Sequence, residues 1–124
     1  MTIRILLATL LAVALSAIAQ LVLKYGMSGE AVQNSLGSSS WTDVLRAVVL
    51  NWKIVLGMAI YAVSMGVWLL VLARVDVSQA YPFVGLGFVI TAACGHFLLG
   101  ESFGLQRIGG TILVGIGVYL IAKG

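Results

Sequence analysis

Charge is what this sequence has least of. Seven Lys or Arg and four Asp or Glu make up 9% of 124 residues, against 61% hydrophobic. A soluble domain carries about 25% charged residues, so a chain this poor in charge could not cover its own surface in water. Proline, cysteine and histidine occur once each. A single cysteine, Cys94, excludes an intrachain disulfide and says nothing of redox compartment. No His, Cys or carboxylate pattern surrounds His96, so a metal site is not expected there, and His96 reads as structural or interfacial. No triad, paired carboxylate or phosphate-cradling glycine loop is present, which leaves no catalytic residue and no cofactor to name. The net charge of +3 is scattered and forms no basic stripe for nucleic acid. The apolar runs are continuous, which excludes the alternation of a membrane β-barrel.

What is present is long hydrophobic runs. Mean hydropathy is +1.13. The intervals Ile5–Leu23, Ile54–Ala73 and Val77–Gly100 contain no Asp, Glu, Lys or Arg, and a shorter charge-free run lies between Arg107 and Lys123. A spanning helix needs about 20 apolar residues, so the expected fold is an all-α integral membrane protein. It is read as one domain, residues 1–124, of four transmembrane helices at about 3–24, 52–73, 78–99 and 105–122. The N-terminal run resembles a signal peptide but is too long for an h-region and meets Gln20 and Lys24 in place of a cleavage site, so it reads as a retained first helix.

The connections differ in kind. Arg74-Val75-Asp76 and Gly100-Glu101-Ser102 are tight, making their flanking helices antiparallel neighbours. Gly26–Ser40 is rich in Ser and Gly and reads as a mobile loop. Trp41, Val44, Leu45 and Val48 then recur at helical spacing after a Ser40/Asp43 capping box. Residues 41–50 read as a short interfacial helix, with an early start to helix 2 as the alternative. Arg4, Arg74 and Lys123 fall on one side, and Lys24, Arg46, Lys53 and Arg107 on the other. That balance gives no positive-inside bias and permits an antiparallel homodimer or a partner that sets orientation. Helix 4 carries Gly109, Gly110, Thr111, Gly115 and Gly117, small residues that permit close approach of a second chain or of its own neighbours.

Polar residues inside spans are functional candidates. Ser16, Gln20 and Lys24 recur at i, i+4 and i+8 and share one face of helix 1, with Thr9 near the same line. Ser16 could instead bond back to its own helix and Lys24 could be an ordinary anchor, but the Gln20 carboxamide requires partners in hydrocarbon. Tyr61, Ser64 and Trp68 share a face of helix 2, with interhelical packing as the competing role. Helix 3 opens with Ser78-Gln79-Ala80-Tyr81-Pro82. Pro82 cannot donate to the Ser78 carbonyl, and Gly85 and Gly87 follow, so Pro82, Gly85 and Gly87 read as a hinge. Glu101 and Arg107 flank the last turn, where they could pair or cap helix 4. No Asp or Glu lies within any span, although a proton-coupled carrier generally uses one.

Ala19-Gln20-Leu21-x-x-Lys24, Ser78-x-Ala80-Tyr81-Pro82, Gly100-Glu101-Ser102 and the glycine-rich helix 4, in this order, resemble the drug/metabolite transporter superfamily in its four-helix small multidrug resistance and EamA-like branch. The resemblance covers nearly the whole chain. Small multidrug resistance transporters are antiparallel dimers that exchange protons for cations through a helix-1 glutamate. Registering on Lys24 places that position at Ser16, and registering on Ala80-Tyr81 places the family's helix-3 tryptophan at Val84, both departures from cation antiport. Tyr61 and Tyr81 match tyrosines of that family's pocket. The Gln-Leu-x-x-Lys helix, the longer first loop and the Ala-Tyr-Pro segment resemble the two small subunits of the flippase for undecaprenyl-phosphate-linked aminoarabinose.

That resemblance implies a flippase moving a polyprenyl-phosphate-linked sugar, or a similar anionic glycolipid, across the bacterial inner membrane. A phosphate suits Lys24, Gln20 and Ser16. The sugar could bond Tyr61, Ser64, Ser78, Gln79 and Tyr81 and stack on Trp68, while the tail stays in lipid. The expected partners are the lipid-linked sugar, membrane lipids and a second chain, either a homodimer or a heterodimer with a homologous small subunit, joined through Gly110, Thr111, Gly115 and Gly117. Two other readings stay open: a proton- or ion-coupled small-molecule exporter, and a non-transporting accessory subunit of a membrane glycosyltransferase or transporter.

Overall fold

The computed structural model describes residues 2–38 and 40–124; Met1, and Ser39 of the first loop, lie outside it. In chain order the helices are α1 (Ile3–Met27), α2 (Glu30–Leu36), α3 (Trp41–Val49), α4 (Trp52–Leu72), α5 (Val77–Ala80), α6 (Val84–Leu99) and α7 (Leu105–Lys123). A 3-10 turn, Tyr81–Phe83, joins α5 to α6, and no strand occurs among the described residues. α1, α4, the α5–α6 unit (Val77–Leu99) and α7 are each long and apolar enough to cross a bilayer. The fold is the all-helical, four-span membrane protein expected.

The Thr2 hydroxyl starts α1 by accepting the Ile5 N–H at 3.4 Å, satisfying one orphan donor of the first turn. α1 runs three residues beyond the expected Lys24, to Met27. Asn51 joins two helix ends. Its Oδ1 accepts the N–H groups of Lys53 and Ile54 and so caps α4, while its Nδ2 donates to the Gly26 carbonyl of α1 at 2.9 Å.

The first connection is more ordered than its composition suggests. Gly26 and Met27 belong to α1, and α2 occupies Glu30–Leu36. Val32 is fully buried and the Ser35 hydroxyl, also buried, donates to the Val32 carbonyl at 2.6 Å, so packing overrides the Ser/Gly content. α3 is separate from α4, broken at Leu50-Asn51, which excludes an early start to helix 2. The Ser40/Asp43 capping box does not form: Ser40 sits at the N-cap position but its side chain makes no capping bond. Trp41, Leu45 and Val49 leave one apolar face of α3 exposed.

The central contact is α1 against α4, the most extensive in the fold. The buried residues of each helix recur at seven: Ala12, Ala19 and Gly26 on α1; Gly57, Ser64 and Val71 on α4. A seven-residue repeat keeps one seam facing its partner through a shallow left-handed crossing. A Cβ on Gly57 would lie 2.8 Å from Leu23 side-chain atoms, and the Ser64 hydroxyl donates to the Ala12 carbonyl at 2.7 Å. α6 packs on α1 and α7 on α6. The expected hinge divides here. The tightened backbone is the turn at Tyr81–Phe83, whereas Gly85 and Gly87 lie inside α6 at close approaches, where a Cβ would meet Val118 at 2.7 Å and Val13 at 3.3 Å. Val13, Phe83 and Val118 close a small core joining α1, the turn and α7.

Gly26→Ala is expected to lower the thermal midpoint of the detergent-solubilised protein. Its Cβ would lie 2.5 Å from Ile54 Cγ1 and 3.0 Å from the Ile54 nitrogen, an overpacking worth roughly 1–3 kcal/mol. Gly109→Ala, with nothing within 4 Å of its Cβ, is the control and should leave the midpoint unchanged.

Candidate functional site

Because the spans alternate in direction, each end of the bundle collects a defined set of residues. The end of α1 lies beside the start of α4, the end of α6 and the start of α7. The Tyr25 hydroxyl donates to the Leu98 carbonyl there at 3.5 Å. Lys24, Lys53 and Arg107 belong to this end; Arg4, Arg74 and Lys123 belong to the other.

Between α1, α4 and α6 runs a groove in two adjoining parts that share Ser16, Tyr61 and Val84. The part toward the Arg74 end has a volume of about 280 Å³ and is walled by Ser64, Met65, Trp68 and Tyr81, with Ala12 and Val13 behind. The part toward the Lys24 end is about 350 Å³, lined by Gln20, Thr91, Phe88 and Gly87. No charged side chain lines either part. Six of the nine residues expected to meet substrate are therefore brought together: Ser16, Gln20, Tyr61, Ser64, Trp68 and Tyr81.

Their hydrogen-bonding states differ. The Ser16 hydroxyl donates to the Val13 carbonyl at 2.8 Å, the back-bond that competed with a substrate role, and offers the groove an acceptor oxygen. Ser64, 5% exposed, spends its proton on Ala12 across the α1–α4 seam. Gln20 and Tyr61 are exposed, and Trp68 is half-buried at the wall.

The other three candidates lie outside the groove lining. Lys24 is exposed one turn beyond Gln20, in the last turn of α1, where a cation also opposes the helix dipole. Ser16 to Lys24 spans about 12 Å along the helix axis. Ser78 and Gln79 are exposed on α5 at the opposite end, so alternation of the spans separates them from Lys24. Thr91 was missed. As a hydroxyl in the middle of the third charge-free run it carried the same signal as Ser16, and only the packing of α6 against α1 shows that it lines the groove together with Gln20.

α7 is the least enclosed span, with Val118 its buried residue. A Cβ on Gly109, Gly110, Gly115 or Gly117 would meet nothing within 4 Å. Gly110 and Thr111 line a separate cleft between α6 and α7, at whose mouth stand His96, Glu101 and Arg107. Glu101 does not cap α7: Gly104 holds the N-cap position with no side-chain bond, and Arg107 donates to the Ser102 carbonyl at 3.1 Å.

An uncharged groove carrying a few polar groups among apolar spans defines the class as a small multi-pass membrane protein with a substrate-sized cleft between its helices. Comparison with known proteins makes this specific. The chain is 33% identical over 111 residues to the probable 4-amino-4-deoxy-L-arabinose-phosphoundecaprenol flippase subunit ArnE of Pseudomonas savastanoi pv. phaseolicola, covering 88% of this chain and 89% of that one. It is 31% identical over 119 residues to the probable flippase subunit ArnF of Enterobacter sp., covering 90% and 89%. It is 38% identical over 96 residues to ArnE of Pseudomonas fluorescens, covering 75% and 79%. The chain belongs to this family of small ArnE- and ArnF-like flippase subunits, and with its four spans it is a multi-pass protein of the bacterial inner membrane. No family model matches the sequence, and no solved structure matches it.

Ser64→Ala is expected to destabilise the fold by about 0.5–1.5 kcal/mol through loss of the bond to Ala12, read as a lower thermal midpoint in detergent. An unchanged midpoint would show that the seam does not depend on this hydroxyl.

Proposed function

We propose that this chain is one subunit of a flippase that carries a polyprenyl-phosphate-linked sugar, or a similar anionic glycolipid, across the bacterial inner membrane, and that it acts as a transporter and not as an enzyme. The relatives are named for 4-amino-4-deoxy-L-arabinose on undecaprenyl phosphate, which makes an amino sugar the first substrate to test. The observation that carries the reading is the groove itself: uncharged, free of carboxylates, with its few polar groups leading from Trp68 and Tyr81 past Ser16 to Gln20 and the Lys24 ammonium one turn further on. A carboxylate there would repel a phosphate and would suit a cation or a proton. Donors without negative charge suit the reverse.

In this reading Gln20 and Lys24 engage the phosphate, Tyr61 and Tyr81 bond sugar hydroxyls, and Trp68 offers a stacking face. Ser78 and Gln79 meet the head group at the other end of its path. The isoprenoid tail stays in lipid while the head group moves through the groove. Pro82 in its 3-10 turn is where α6 would swing against α1.

The relatives are subunits by name, and the open space beside the glycines of α7 suits a second chain, either another copy or a homologous small subunit. Close approach through Gly110, Thr111, Gly115 and Gly117 would enclose a groove that one chain leaves partly open.

In proteoliposomes containing labelled glycolipid, Gln20→Ala and Lys24→Ala are each expected to slow translocation about ten-fold or more, the scale of one lost charge-assisted hydrogen bond, at near-normal yields of folded protein. Full activity in both variants removes the phosphate site. Movement of a small cation against a proton gradient, with the glycolipid untouched, replaces the flippase with an exporter. Gly115→Leu has open space within its own chain, so it should weaken association without unfolding the protein. An unchanged dimer mass in mild detergent would move the interface off α7.

A further inference from the structure

The cleft between α6 and α7 has a volume of about 450 Å³, within the roughly 300–1,000 Å³ range of sites that enclose small ligands. It is strongly graded along its length. His96, Glu101, Ser102 and Arg107 stand at the mouth, and Phe88, Val89, Ala92 and Val114 line most of the remainder, with Thr111 the one hydroxyl among them. From His96 to Phe88 is about 12 Å along the helix axis, so the apolar part reaches well into the span. Phe88 also borders the groove, but the polar groups of the two sites are separate.

The mouth is built by local structure. Gly100, at φ +68°, turns the chain back on α6, a conformation that glycine adopts without penalty. The Glu101 N–H then donates to the Gly95 carbonyl at 3.1 Å. Its carboxylate rests over Gly95, where a Cβ would lie 2.9 Å from Oε2. The Glu101 carbonyl lies 3.0 Å from His96 Nδ1. A carbonyl only accepts, so Nδ1 donates to it and the ring is held across the mouth of the cleft. Phe103 packs against the same ring at 5.4 Å between centroids. Arg107 gives one N–H to Ser102, and its fork has further donors.

We propose that this cleft is a second lipid site, distinct from the groove, for an amphiphile whose head group carries a phosphate and a primary ammonium. Arg107 takes the phosphate, since its planar fork matches two oxygens. The Glu101 carboxylate takes the ammonium. The apolar wall from Val89 to Val114 takes the first part of a chain. One cation and one anion lining the same cleft disfavour a purely anionic head group, and a carboxylate acceptor disfavours a quaternary amine, which has no N–H to give.

Native mass spectrometry of the purified protein, offered phosphatidylethanolamine, phosphatidylcholine or phosphatidylglycerol in turn, tests this without any variant. Retention of phosphatidylethanolamine should exceed that of each other lipid by about ten-fold, the scale of one charge-assisted hydrogen bond. Equal retention of all three overturns the proposal. Glu101→Gln should abolish the preference over phosphatidylcholine, and Arg107→Gln should lower retention of all three. Wild-type selectivity in Glu101→Gln together with wild-type retention in Arg107→Gln would overturn the proposal. Competition with a polyprenyl-phosphate-linked amino sugar then sorts the source. Displacement supports the site as one for the transported lipid, and retention supports a resident bilayer lipid. The readout is head-group selectivity in binding, so it can fail while the transport reading stands, and the reverse.

Discussion

The close seam between α1 and α4 is the contact on which the rest of the molecule depends. Lipid tails are as apolar as leucine, so no hydrophobic force drives helices together in a bilayer, and association rests on close packing and hydrogen bonds. The seam supplies both. Ala12, Ala19 and Gly26 face Gly57, Ser64 and their neighbours at intervals of seven, and Ser64 donates across the interface to Ala12. At its end Asn51 links the Gly26 carbonyl to the first turn of α4. With α1 and α4 held this closely, α6 can reach α1 at Gly87 and leave a groove beside the contact.

The groove inherits its chemistry from that arrangement. Helix 1 presents its packing stripe to α4 and its polar stripe, Ser16 and Gln20, to the space beside it. A hydroxyl can therefore serve structure or substrate according to which way its helix face points. Ser64 points into the seam and Thr91 into the groove. Among the described residues no buried side-chain polar atom lacks a partner, as expected where desolvating an unbonded polar group is costly. The exposed groups of the groove, Gln20, Tyr61 and Tyr81, have hydrogen-bonding capacity to spend on something else.

α7 stands apart. It rests on α6 and the 3-10 turn, buries little, and leaves open space beside its glycines. Glycine in a membrane helix is compatible with packing inside its own chain, and here Gly85 and Gly87 of α6 fill that role instead. A Cβ on Gly109, Gly110, Gly115 or Gly117 of α7 would meet nothing within 4 Å in its own chain.

The sequence by itself determined the solvent, the number of spans and their boundaries within a few residues. Charge-free runs of about 20 residues have no other stable home, and their ends are marked by Lys24, Arg74, Arg107 and Lys123. Periodicity was also enough to put Ser16 and Gln20 on one face, since helical spacing is a local property. What it could not determine is which faces meet. Ser64 could belong to the groove or the seam, Thr91 looked like any hydroxyl in a span, and Gly26–Ser40 read as loop although Val32 and Ser35 are buried in a helix. The separation of Ser78 and Gln79 from Lys24, and the gathering of His96, Glu101 and Arg107 around one cleft, arise from the alternating direction of the spans and the turn at Gly100. Only tertiary structure decides these, because each depends on contacts between residues far apart in the chain, and no local spacing encodes such contacts.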